Sequence, residues 1–192
     1  MIAKWGRFYR RVARPAALFA SGTVAAARAG VIYVPVLAKS SLTYSFTQAG
    51  ASNQGSFRAF SVSFDPAAGK LAVVIDMRSF DTGDSQRNGI LGGSDMFDVA
   101  AYPQARFTAT RIEKSATGFI AVGLLTIRGV TRTASVPFFW RTLPDSRGEM
   151  GYLTGQIVLQ RLDYGVGQGQ WSSTEWVGND VTVHYSLELE AK

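Results

Sequence analysis

From Val181 to Glu190 apolar and polar residues alternate without a break: Val181, Val183, Tyr185, Leu187 and Leu189 are interleaved with Thr182, His184, Ser186, Glu188 and Glu190. A period of two sends successive side chains to opposite faces of an extended chain, so this segment reads as a strand with one dry face and one wet face. Such a strand needs partners, and the chain supplies them. Leu42, Tyr44 and Phe46 alternate with Thr43, Ser45 and Thr47, and Phe60, Val62 and Phe64 alternate with Ser61 and Ser63 in a strand over 57–64. Leu71, Val73, Ile75 and Met77 share a face over 70–80, Ala105, Phe107 and Ala109 over 105–112, and Leu153, Ile157 and Leu159 over 150–160.

Two further strands break the simple alternation. Phe119 to Ile127 is apolar on both faces, with Ile120, Val122 and Leu124 opposing Phe119, Ala121, Gly123, Leu125 and Ile127, which predicts a strand covered on both sides. Thr133 to Trp140 contains Pro137, which cannot donate to a ladder and predicts an edge position or a bulge. Val31 to Leu37, broken by Pro35, reads as a lead-in strand, and Gly50 to Gly55 as a polar turn. Helix is plausible only in Ser85–Asp98, where Gly89, Gly92 and Gly93 limit it to a turn or two inside a long loop that could cover a barrel mouth.

Eight such strands joined by short turns predict an all-β fold, an antiparallel barrel or sandwich, in one domain over residues 30–192. Twelve phenylalanines and twenty glycines agree with that class. The inward set mixes Phe46, Phe57, Phe107 and Phe138 with Ala105, Ala109, Ala121, Gly123 and Ala134. So many small residues leave volume that the large ones need not fill, which favours a dry apolar cavity. Without cysteine, the core has to hold by packing alone, and thiol nucleophiles, iron–sulfur clusters and thiolate metal sites are excluded.

The formal charge of +6 is unevenly placed. Lys4, Arg7, Arg10, Arg11, Arg14 and Arg28 fall in the first 29 residues, which contain no acid, and the remainder is balanced at fourteen basic and fourteen acidic side chains. The charge is therefore no nucleic-acid footprint. Residues 1–29 read as an export signal: a basic start, an apolar stretch from Pro15 to Ala27, and small residues around Ala27-Arg28-Ala29 for cleavage. Arg10-Arg11 suggests a twin-arginine signal with weakly matching flanks, and an uncleaved basic anchor lying on a membrane is the alternative reading of the segment. The expected compartment is periplasmic or secreted.

Catalytic chemistry finds little support. His184, the single histidine, lies opposite the apolar face of its strand, where a triad base or zinc ligand has no company. Asp76, Asp81, Asp84, Asp95 and Asp98 match no calcium-loop spacing and read as strand ends and loop caps. Gly165-Val166-Gly167-Gln168-Gly169 lacks dinucleotide-loop spacing and no helix follows it, so its glycines serve turns. Trp171 and Trp176 either line a rim or pack. The expectation is no enzyme and no metal or other cofactor.

In order along the chain stand Asp81-Thr82-Gly83, Arg87, Leu91, Ser94-Asp95-Met96-Phe97-Asp98, Tyr102-Pro103-Gln104-Ala105-Arg106-Phe107 and Gly123-Leu124-Leu125-Thr126-Ile127-Arg128-Gly129-Val130-Thr131. Together they resemble the YceI-like family over most of positions 40 to 190. Arg161-Leu162-Asp163-Tyr164-Gly165-Val166-Gly167 with Gly169-Gln170-Trp171 resembles the branch associated with cytochrome b561 proteins. Where family members carry Arg-Asp and Leu-Arg-Ser in the helical loop, this chain has Arg87-Asn88 and Leu91-Gly92-Gly93.

The resemblance implies an eight-stranded, lipocalin-like extended barrel whose bore holds an isoprenoid chain, as a polyprenyl lipid or a quinone, for carriage or storage. The candidate apolar wall is Leu42, Phe46, Phe57, Ile75, Phe97, Phe107, Leu125, Phe138, Ile157, Val183 and Tyr185; each would serve equally as ordinary barrel core. Burying one isoprene unit gains about 3 to 4 kcal/mol before ordering costs. The alternative is a filled barrel that acts as an interaction module and docks a membrane cytochrome b561 through the Trp171–Trp176 loop. Oligomeric state stays open, a dimer included.

Overall fold

The computed structural model describes residues 30–146 and 148–192; the expected leader, residues 1–29, lies outside them. The strands are β1 (Tyr33–Pro35), β2 (Ser41–Gln48), β3 (Ala51–Phe57), β4 (Phe60–Asp65), β5 (Lys70–Asp76) and β6 (Phe80–Asp81), then helix α1 (Ser85–Gly92). They continue as β7 (Gln104–Ser115), β8 (Gly118–Ile127), β9 (Val130–Asp145), β10 (Gly148–Gln160) and β11 (Val177–Ala191).

All pairings are antiparallel, and they close a barrel of eight strand positions. β3 and β4 are one strand bent at Arg58–Ala59, and β5 and β6 are one strand bent at Met77–Ser79. The second bend is fixed by Asp76, whose side chain accepts from the Arg78 N–H at 2.9 Å. β11 pairs with β10 on one side and with β2 on the other, which completes the circle. The short β1 fills the place beyond the end of β2, pairing Tyr33 with Phe64 of β4 and with Ala191 of β11. Closure removes the exposed edges that a flat sheet of this size would offer.

Turn chemistry sets the register. Ala49–Gly50 and Arg128–Gly129 each have both central residues at positive φ (49° and 76°, 48° and 73°), the geometry that matches the twist of a tight hairpin. The expected polar turn over Gly50–Gly55 is therefore corrected: only Ala49 and Gly50 turn, and Ala51 to Phe57 run on as β3, paired with β2 from Gln48↔Ala51 to Thr43↔Ser56. Gly55 is needed there for clearance, since a Cβ at that position would lie 2.5 Å from the Tyr44 ring.

β8 is covered on its outer face only in part. Its inner face is fully enclosed at Ala121; on the outer face Val122 is buried, while Leu124 is 49% exposed. Pro137 sits where β9 parts from β10: that ladder begins at Phe139↔Thr154, while Pro137 faces Ile120 of β8. Its missing N–H thus falls on the free side, as an edge position requires. α1 supplies the expected two turns of helix, N-capped by Asp84, which accepts from the Arg87 N–H at 3.1 Å. His184 is exposed on the outside of β11.

Candidate ligand-binding bore

The inward parities of the strands meet along one axis, and side chains do not fill the space between them. Two adjoining cavities result, with Phe97, Ile127 and Leu159 common to their walls. The deep one, about 150 Å³, is lined by Leu42, Phe57, Phe60, Val62, Leu71, Val73, Ile75, Met77, Ala105, Phe107, Val136, Phe138, Leu153, Val183, Tyr185 and Leu187, among others. An apolar space of this size stays dry, since water needs several polar partners to occupy it. Tyr185 brings the one hydroxyl, and it donates to the Pro137 carbonyl; burial raises its pKa above the usual phenol value.

The floor of this chamber is aromatic. Phe64 packs edge-on to Phe138 at 5.8 Å and to Trp140 at 4.7 Å, and Tyr33 packs edge-on to Trp140 at 5.0 Å. Gly151 lets the indole in, because a Cβ there would lie 2.0 Å from the Trp140 ring. Tyr33 completes the plug by donating from its hydroxyl to Glu149 at 2.5 Å.

The second cavity, about 250 Å³, is the mouth. Its lining comes from β2 (Tyr44, Phe46, Gln48), from α1 and the loop after it (Gln86, Arg87, Ile90, Leu91, Met96) and from the segment following β10 (Arg161, Tyr164, Val166, Trp171). Phe97, Ile127 and Leu159 line both chambers and form the waist between them. Leu91, Met96, Tyr164 and Val166 make a small apolar core of their own that welds the two loops together. The Asp95 carbonyl accepts from Gly167 N at 2.9 Å and from Gln168 N at 2.7 Å, which locks one loop to the other.

Arg161 anchors the mouth. Its side chain is 5% exposed and donates to four backbone carbonyls: Nε to Gly178 at 2.9 Å, Nη1 to Val166 at 2.9 Å, and Nη2 to Val177 at 2.8 Å and Ser173 at 3.1 Å. Burial lowers its pKa, although a guanidinium remains charged at any ordinary pH. Tyr44 is buried with no partner for its hydroxyl, and desolvation raises its pKa to about 12. Trp171 lines the mouth, and Trp176 is 67% exposed outside it.

Of the proposed wall residues, Leu42, Phe57, Ile75, Phe107, Leu125, Phe138, Ile157, Val183 and Tyr185 line the deep chamber, Phe97 stands at the waist, and Phe46 faces the mouth. Sequence reasoning missed Arg161 and the loop core of Leu91, Met96, Tyr164 and Val166. Their partners come from loops, where no period marks a face. The small residues also need correction. Ala105 lines the deep chamber, whereas Gly123 serves close strand approach: a Cβ there would lie 2.2 Å from the Thr108 carbonyl.

Residues 33–189 match the YceI-like domain family. A UPF0312 protein of Yersinia enterocolitica is 40% identical over 87 residues, 43% of this chain and 45% of that protein, so the match spans less than half the length of such relatives. Among solved structures, Burkholderia cenocepacia BcnA superposes with a TM-score of 0.72 at 33% identity, over 80% of this chain and 98% of that one. A YceI protein of Campylobacter jejuni gives 0.64 at 25% identity, over 72% and 84%. A polyisoprenoid binding domain from Saccharophagus degradans, implicated in plant cell wall breakdown, gives 0.64 at 19% identity, over 85% and 100%, a likeness of fold.

Proposed function

The chain belongs to the YceI-like family, and from that premise we propose that it is a lipid-binding protein whose bore holds a long isoprenoid chain, as a polyprenyl lipid or a quinone, for carriage or storage. The observation that carries this reading is the deep chamber: an apolar space closed by an aromatic floor and entered through a wider mouth. Transfer of apolar surface from water supplies the affinity. The Saccharophagus degradans domain gives the ligand class to test first. The reading is of a binder and not an enzyme. Residues 1–29 make the periplasm or the exterior the proposed compartment.

Titration with a polyprenol and with a ubiquinone tests the proposal, with Trp171 at the mouth as the fluorescent reporter. Saturable one-to-one binding with a negative heat-capacity change is expected, since that change marks apolar burial. No saturable signal from either ligand, by fluorescence or calorimetry, would contradict it. The second reading, a module that docks a membrane cytochrome b561, draws on the exposure of Trp176. The open chambers weigh against its filled-barrel form.

A further inference from the structure

Charge is distributed unequally between the two chambers. Among the described residues, the deep chamber is lined by no ionisable side chain except Tyr185, whose hydroxyl is committed to Pro137. The mouth is lined by two guanidinium groups and one carboxylate. Arg87 Nη2 lies 4.0 Å from Asp84, so these two largely offset each other. Arg161 has no such partner: no carboxylate stands within ion-pair distance of it among the described residues.

A guanidinium has five N–H hydrogens. Four of those on Arg161 are taken by the carbonyls of Val166, Ser173, Val177 and Gly178, and one on Nη1 has no acceptor among the described residues. Carbonyl dipoles hold the group in place without cancelling its charge. Pinning the loop explains the donors, but it does not explain a buried, uncompensated cation beside a cavity, which is costly unless something neutralises it. In a low dielectric the same cation attracts an anion strongly.

We infer that the mouth chamber is a head-group site for an anionic amphiphile, with Arg161 as the counter-ion and the apolar tail leading into the deep chamber past Phe97, Ile127 and Leu159. This rests on the lipid-binding reading and adds the head-group class and the direction of entry. It favours a phosphate ester or carboxylate head over a neutral quinone or alcohol.

Calorimetric titration with geranylgeranyl phosphate and with geranylgeraniol, both below their aggregation thresholds, tests the inference. The phosphate should bind at least about tenfold more tightly, as a charge-assisted contact predicts. In Arg161→Gln that ratio should fall toward one. Millimolar inorganic phosphate should leave the ester bound; displacement by it would mean that the site takes free phosphate, and would overturn the proposal. Equal affinity for the two probes in the unmodified protein would overturn it while leaving the lipid-binding reading intact. Binding of neither probe would overturn both. Should Arg161→Gln fail to fold by circular dichroism, the ratio in the unmodified protein decides the matter alone.

Discussion

The two chambers of the bore are built by different means. Regular strands wall the deep one, where each residue's neighbours follow from period and register: Phe107 of β7 faces Val73 of β5 and Leu125 of β8. The mouth is made largely from α1 and two loops, and its order depends on a few polar ties, the Arg161 fan and the Asp95 carbonyl above all. The first is held by many small packing terms. The second depends on a handful of hydrogen bonds whose loss strands buried carbonyls. Substitutions should therefore act differently in the two places.

The largest effect should come from the floor. Phe138→Ala removes a ring stacked on Phe119 at 5.5 Å and edge-packed on Phe64, and should cost about 3 to 5 kcal/mol of unfolding free energy in urea titrations. Ile90→Ala at the exposed lip of the mouth should cost well under about 1 kcal/mol in the same assay. Comparable costs at both sites would erase the distinction.

Arg161→Met should come next, at about 2 to 4 kcal/mol, since it leaves carbonyls at Val166 and Val177 without donors. Hydrogen exchange should quicken across Tyr164–Trp176 and stay slow in β7 and β8. Uniform acceleration would mean that the mouth and the deep wall are one cooperative unit.

Ala105→Leu probes volume directly. It places three more carbons at the deep chamber and should weaken binding of a long isoprenoid by roughly tenfold, about 1.4 kcal/mol, with little change in thermal stability if the space is open. A loss of stability of about 1 to 3 kcal/mol would show the site to be already packed.

The smallest effect concerns pH. The phenol of Tyr44 titrates near 12 in the fold, raised by burial first and then by Asp81, against about 10 when unfolded. Its contribution is intact below pH 10 and is lost as pH rises from about 10 toward 12, because the unfolded chain then releases a proton that the folded one keeps. Thermal denaturation should show a fall of about 1 to 2 kcal/mol across that window, partly relieved in Tyr44→Phe. An unchanged profile in Tyr44→Phe would place the alkaline sensitivity elsewhere.

The same contrast explains what was legible in the sequence. Alternation in β2, β5, β7, β10 and β11 places Leu42, Ile75, Phe107, Ile157 and Val183 on a common inner face, and the structure brings them to one chamber. Polar composition misleads at Ser52, Asn53 and Gln54, where pairing with β2 outweighs turn propensity. Arg161 stands inside a recognisable run, Arg161-Leu162-Asp163-Tyr164-Gly165, yet nothing local indicates that its partners are carbonyls up to seventeen residues onward. Gly123 and Ala105 are both small, and only the neighbouring strand distinguishes clearance from cavity.

An isoprenoid chain held in the deep chamber, as proposed, should survive purification. Protein purified from its native host and extracted into organic solvent should yield, by mass spectrometry, an isoprenoid lipid in near-stoichiometric amount. A clean extract, together with no uptake of offered quinones or polyprenols, would contradict the account.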